Sequence, residues 1–553
     1  MTADVVIRGG TVIDGTGAPG VRADVAVAEG VITEIGARLD GRRELDATDQ
    51  VVAPGFVDVH THYDAQVFWD PALTPSCWHG VTTVVAGNCG FTLAPCRPEH
   101  RELLVHTLEH VEDMNFDTLQ AGVPWDFETF PEYLDSVERR GTLLNYACYI
   151  GHTAVRLWVM GEDGYERAAT DTEIAEMQRV VREAVELGAA GFATSSSPTH
   201  SGDGGRPVPS RVADRAELAA LVAPLRDLGK GVIAALPGEK VVHDDLYAIQ
   251  REVGRPLTWT ALLTLKGLSF ASDMAARNAE ERATGADVWP QISVRELTFS
   301  QNMMEPFAFN MIPAFGELMG APREEKLARF RDPAWRARAT AEMDSAKIFR
   351  PRWEETYLAE SSTHPELLDR SVADLAAQQG STPLDVVLDL SCEENLETRF
   401  RSTLANNDPD GIADLLQQDG LVLGLSDAGA HVSQLCDACA PTDLLGNWVR
   451  EREVISLERA VRKLSGEAAD LYSMEDRGYL KPGFAADIAV FDPATVAPGG
   501  LRRVRDFPAG GERLVADSPA GMTHVLVNGT PIRVDGEPVA EALAQRPGKL
   551  LRT

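Results

Sequence analysis

Pro54-Gly55-Phe56-Val57-Asp58-Val59-His60-Thr61-His62 is the stretch that decides the fold. An apolar run of strand length is entered through Pro-Gly and ends on two histidines one residue apart. In an extended chain successive side chains alternate faces, so His60 and His62 point the same way. Paired imidazoles suit a divalent metal, and the C-terminal ends of barrel strands are where such groups converge over a pocket.

Working outward, the segments 55–60, 82–86, 143–150, 191–194, 231–236, 257–263, 288–292 and 421–425 read as apolar strands with helical stretches between them. The stretch 172–187 opens on the capping box Thr170-x-x-Glu173, and 215–228 closes at Gly229-Lys230-Gly231. This alternation predicts an α/β fold, a (β/α)8 TIM barrel over residues 54–475. The long gap at about 295–418 predicts an inserted helical subdomain between strands seven and eight, covering the mouth. Residues 1–53 and 476–553 are short β-branched runs broken by Gly-rich turns, with a hairpin signal at Asn528-Gly529. They predict a small β-sandwich formed by both termini.

The chain has 553 residues, 44% of them hydrophobic, enough for a barrel and an accessory domain. Its net charge of −32 repels nucleic acid and anionic membranes, so neither is expected as a partner. A small-molecule substrate is expected, and homo-oligomerisation is left open. No signal peptide or membrane-spanning run is visible. The seven scattered cysteines do not read as a disulfide framework, which points to the cytoplasm. Cys436 and Cys439 have C-x-x-C spacing, but no second pair accompanies them.

Two further motifs carry chemistry. Gly424-Leu425-Ser426-Asp427-Ala428-Gly429-Ala430-His431 ends strand eight on a carboxylate, which at a barrel mouth can ligate a metal and act as general base. Gly87-Asn88-Cys89-Gly90 follows strand two and offers a thiolate ligand, the alternative being a buried structural cysteine. His431 either supports the metal site from behind or merely opens a helix.

The chain resembles the amidohydrolase superfamily, and within it the N-acyl-D-amino-acid deacylase (D-aminoacylase) group. The resemblance rests on 4–15, on 54–62, on 87–90, on Ser426-Asp427 and on the closing stretch 478–492. It implies zinc-assisted hydrolysis of an amide other than a peptide bond. It also implies that His60, His62, Cys89 and Asp427 are metal-site residues. The chain departs from the family at strands five and six, where such enzymes carry a histidine each. Here strand five ends Val232-Ile233-Ala234-Ala235-Leu236-Pro237-Gly238-Glu239-Lys240 and strand six reads Leu257-Thr258-Trp259-Thr260-Ala261-Leu262-Leu263, with no histidine in either, and His243 lies a few residues past the first. No lysine sits on strand four to form a carbamylated bridge. The expectation is therefore one zinc, or another divalent ion, per chain.

Weaker candidates are His152, Arg295 and Lys240 for substrate binding, with Arg295 suited to a substrate carboxylate. Asp64, which follows the H-x-H pair, is a candidate for orienting His62. The leading reading is attack of a metal-activated water on the amide carbonyl, with Asp427 shuttling the proton. A cyclic amide, imide or lactone hydrolase with one metal is the second reading. A non-catalytic amidohydrolase-like binding protein is the third.

Overall fold

The computed structural model describes residues 2–202, 205–346 and 351–552. Among them, parallel strands close into a TIM barrel. Phe56–Asp58, Val81–Ala86 and Asn145–Cys148 form one run, and Ile150–Gly151, Gly191–Ser195, Val232–Leu236, Leu257–Trp259, Val288–Ile292 and Val422–Leu423 form the other. Asn145–Cys148 and Ile150–Gly151 are one strand broken at Tyr149, and a parallel bridge from Thr61 to Ala428 closes the ring. The strands match the apolar segments of the sequence because a parallel sheet covered on both faces must be apolar throughout. The helices obey their local signals as well. Asp171–Glu186 is capped by the reciprocal Thr170–Glu173 box, and Arg215–Leu228 ends at Gly229 with φ +65°.

Gly55 is required by packing: a Cβ there would lie 2.2 Å from the Thr82 hydroxyl oxygen, so any larger residue pushes strand one off strand two. At the other end of the ring Gly429 has φ +98°, and a Cβ on it would meet the His62 carbonyl oxygen at 2.5 Å. Gly429 lets the strand-eight loop settle directly on the H-x-H pair.

Strands from both chain ends share one nine-stranded sheet. Val51–Pro54, which leads into strand one, is flanked by Ala3–Val12 on one side and Ile488–Phe491 on the other. Asp487 joins this sheet to the barrel: it accepts from Asn145 of strand three at 2.9 Å, while Arg477 Nη1 pairs with it at 2.6 Å and Asn528 N donates to it. The span 476–553 does more than complete the sheet. The hairpin Arg502–Val504/Arg513–Val515 leans across the mouth, where Glu512 pairs with Arg399 and Arg503 with Glu360. Residues 548–551 run along strand three, with Lys549 O accepting from Tyr146 N at 2.9 Å.

The insertion differs from the expectation of a purely helical subdomain. Three antiparallel strands, Leu297–Asn302, Thr356–Glu360 and Arg399–Ala405, share it with helices such as Pro333–Ser345 and Pro383–Glu393. Its own core includes Phe309, Phe315, Phe330 and Trp335. The strands are far apart in sequence and pair only in the folded chain, which hid them from local pattern. Residues 347–350 of the expected insertion lie outside the described residues. Helix Pro409–Leu416 packs on barrel helix Phe270–Ala283 and so belongs to the barrel.

Candidate metal centre

The barrel mouth gathers His60, His62, Cys89 and Asp427. Donor atoms of His60, His62 and Cys89 all lie within 4.8 Å of one another. His60 Nε2 is 3.6 Å from Cys89 Sγ and 3.1 Å from Asp427 Oδ1, and His62 Nε2 is 3.7 Å from the same oxygen. Both imidazoles are 1% exposed, whereas the Asp427 side chain is 14% exposed and is the member open to a substrate. Cys89, Asp427 and His431 have φ of +56°, +45° and +49°, left-handed backbone that non-glycine residues adopt at a cost of order 1–3 kcal/mol each. That strain is concentrated where the side chains converge.

The ring of His60 is fixed from behind. Gln291 Oε1 accepts from Nδ1 at 2.7 Å and Thr260 Oγ1 lies 3.3 Å from the same atom. With its proton on Nδ1, His60 turns the Nε2 lone pair toward Cys89 and Asp427. Gln291 and Thr260 stand at the ends of strands seven and six, where they serve His60 and supply no ligand of their own. Strand five ends on Leu236, and His243 packs its ring edge-on against Trp259 at 4.7 Å, away from the centre.

A carboxylate that sequence reasoning missed backs the other imidazole. Glu112, the last residue of helix Arg101–Glu112, places Oε1 3.5 Å from His62 Nδ1 and Oε2 3.7 Å from His431 Nε2. No local motif marks it, because only the fold carries it to the mouth. Asp64, expected behind His62, is turned elsewhere: it accepts from Gly87 N at 3.0 Å and Cys148 Sγ at 3.5 Å, and so anchors the loop that presents Cys89. His431 packs edge-on against Phe299 and Phe307 of the insertion, at 5.3 and 4.8 Å, which joins the insertion to the centre. A second missed residue, His200, follows strand four with Nδ1 2.7 Å from Ser195 Oγ and its ring 5.1 Å from Phe91.

Three sequence candidates are not brought to the centre. His152 is buried between Thr194 Oγ1 at 2.8 Å and Glu217 Oε1 at 3.0 Å, part of a cluster in which Arg156 grips Glu217 with two bonds of 2.6 Å. Arg295 is neutralised by Asp437 at 2.7 Å and Asp443 at 3.2 Å, so its charge is already matched. Lys240 is exposed and donates to Val212 O at 2.7 Å. The Cys436–Cys439 pair remains two free thiols, with Cys439 Sγ donating to Cys436 O.

The electrostatics are those of a cation site. Burial opposes charge on Asp427, but the two imidazoles outweigh it and hold the carboxyl well below its usual range. Burial likewise opposes protonation of His60, yet Asp427 and Gln291 prevail and raise it, whereas burial wins at His62 and lowers it. Burial lifts the Cys89 thiol and the Glu112 carboxyl well above their ordinary values. His431 is pushed down to about 4 and His200 to about 3, mainly by burial. Two nitrogens and a sulfur at these spacings suit ligands of a divalent ion such as zinc, and the Asp427 carboxylate stands beside both imidazoles. His62 Nδ1, Glu112 Oε1 and His431 Nδ1 are buried without a hydrogen-bond partner, the mark of a polar pocket that awaits an occupant.

Comparison with known proteins follows this geometry. Residues 43–533 match the model of a family described as the amidohydrolase family. A D-aminoacylase from Alcaligenes xylosoxydans xylosoxydans is 28% identical over 549 residues, covering 96% of this chain and 94% of its own. A solved D-aminoacylase, studied for one-metal activation and second-metal attenuation of its binuclear centre, has a TM-score of 0.69 at 27% identity with full coverage of both chains. An N-acyl-D-glutamate deacylase from Bordetella bronchiseptica, solved with zinc and a phosphonate mimic of the tetrahedral intermediate, has a TM-score of 0.68 at 25% identity, again with full coverage of both.

Proposed function

The chain belongs to the amidohydrolase family, and from that premise we propose that it is a metal-dependent hydrolase of the amide C–N bond of a small N-acylated substrate, of the N-acyl-D-amino-acid deacylase kind. The observation that carries the reading is the convergence of the His60, His62 and Cys89 donors within 4.8 Å of one another at the barrel mouth, with Asp427 Oδ1 3.1 and 3.7 Å from the two imidazoles. We assign these four to one divalent ion, zinc being suited to the mixed nitrogen, sulfur and oxygen set. When bound, the ion polarises the carbonyl and lowers the pKa of water to about 7.

The chain's own groups do the rest. Asp427 takes a proton from the attacking water on Oδ2 or Oδ1 and delivers it to the leaving nitrogen. Gln291 holds His60 in the tautomer that leaves Nε2 free, and Glu112 Oε1 stands 3.5 Å behind His62 Nδ1. The rings of His431 and His200, neutral at pH 7, offer hydrogen bonds to the substrate without adding charge. Phe299 and Phe307 shield the centre from water.

Elemental analysis together with turnover of N-acyl-D-amino acids tests the reading. About one metal per chain and activity lost to a chelator and regained with zinc are expected. A folded, metal-free protein that gains no hydrolytic activity with zinc would instead make the chain a non-catalytic binding relative. Turnover of cyclic amides, imides or lactones in place of linear amides would favour the second reading, for which the neutralised Arg295 speaks.

A further inference from the structure

With Arg295 and Lys240 engaged elsewhere, recognition of a substrate carboxylate needs another cation. Arg211 stands on the short helix Pro209–Val212 after strand four. It is half-buried, and its Nη1 donates to His200 O at 2.9 Å and Ser201 Oγ at 3.2 Å. Those two bonds fix the guanidinium. Its Nε–Nη2 edge makes no hydrogen bond to a described residue, and no described carboxylate lies within ion-pair distance. That edge is the one that grips a carboxylate with two parallel bonds.

The surroundings favour a ligand over water. Arg211 lines a cavity of about 240 Å³ whose walls include Phe307, Met311, Met319 and Leu404 from the insertion. Burial lowers the pKa of the guanidinium, with the exposed Glu239 only partly opposing that. The wall also carries His110, Thr199, Ser201 and Asn310, none of them anionic, and a half-buried cation without a partner is stabilised when an anion joins it. The cavity shares Phe307 with the outer edge of the centre. Phe307 covers His431, which contacts Glu112 behind His62, and the carbonyl that holds Arg211 belongs to His200. The size suits the side chain of one acylated amino acid.

We propose that Arg211 is the specificity residue that anchors the free carboxylate of the substrate, with the insertion's Phe307–Met311–Met319–Leu404 wall receiving the adjoining apolar group. The inference rests on the amide-hydrolase reading above and deepens it: the substrate class is the N-acyl amino acid with a free carboxyl and an apolar side chain.

The test compares N-acetyl-D-leucine with its carboxamide, which lacks the charge, in wild type, Arg211→Gln and Arg211→Lys. Wild type is expected to prefer the acid in kcat/KM, chiefly through KM. Arg211→Gln should shrink that preference on the order of 100-fold, the loss typical of a desolvated charge pair, and Arg211→Lys should restore part of it. Because the preference is a ratio within one protein sample, partial misfolding of a variant cancels. An acid-to-amide ratio unchanged in Arg211→Gln overturns the assignment. Should wild type hydrolyse neither compound, the amide-hydrolase reading fails separately, and calorimetric binding of N-acetyl-D-leucine decides the anchor. Binding lost in Arg211→Gln upholds it, and binding equal in both proteins, or absent from wild type, overturns it.

Discussion

His60 is held at both ends of its ring, by Gln291 on one side and by Cys89 and Asp427 on the other. His60→Ala is therefore expected to reduce bound metal from about one per chain to near zero, measured by elemental analysis of the folded variant. Gln291→Ala leaves all four donors in place but frees the ring, and a 10–100-fold weaker metal affinity in a competition titration is expected. The H-x-H pair, Cys89 and Asp427 were legible because each sits in a short local pattern at a strand end. Glu112, His200 and Arg211 were not, since each lies in an unmarked helix or loop and acquires its position only from tertiary folding. Arg295 was misread for the converse reason: the carboxylates that neutralise it, Asp437 and Asp443, are more than a hundred residues further along the chain. Arg295→Met should accordingly lower stability by about 3 kcal/mol, seen as a reduced Tm, and leave the KM for N-acyl amino acids unchanged. A large rise in KM without loss of stability would return Arg295 to the substrate site.

At the level of elements, the helix His152–Met160 is tied to helix Arg215–Leu228 by His152, Arg156 and Glu217. Arg156 is fully buried, so Glu217→Ala strands its charge and should cost about 3–5 kcal/mol. Burial alone would raise the Glu217 pKa, but His152 and Arg156 bring it down to about 2. With the folded pKa below the unfolded one, the unfolded state binds the extra proton. The stabilisation is thus complete above the ordinary carboxylate pKa and is lost as pH falls from there toward about 2. The gap in stability between wild type and Glu217→Ala, measured by urea unfolding, should be widest near pH 7 and narrow steadily below pH ~4.5. The barrel strands and capped helices could be read from the sequence because periodicity and caps are local. The three-stranded sheet of the insertion could not, because its strands lie far apart in the sequence and each alone is a short run of mixed polar and apolar residues.

For the whole molecule, Asp487 latches the terminal sheet to the barrel by accepting from Asn145 of strand three, and its ion pair with Arg477 fixes it there, both charged side chains being 3% exposed. Asp487→Ala strands the Asn528 backbone N–H and the buried Arg477 guanidinium and removes the bond from Asn145. A loss of about 3–5 kcal/mol is expected, and the two halves should then melt in separate transitions by calorimetry where the wild type melts in one. A single unshifted transition would show that the latch is dispensable. Sequence pattern suggested that the two ends meet, since both carry the same short β-branched texture. It held no sign of the Arg502–Val515 hairpin crossing to the mouth, because its partners Arg399 and Glu360 lie in the insertion.

The strand Val51–Pro54, which feeds the paired histidines, has the late strand Ile488–Phe491 as one of its two neighbours. During synthesis, then, the ribosome releases the ligands of the metal long before the segment that steadies them exists. Contacts this distant along the chain form slowly, so zinc captured by the nascent chain would meet an unfinished cradle. For the proposed metal site, loading is then expected late in folding, and a fragment cut before the final strands should hold its ion poorly, however complete its set of donors.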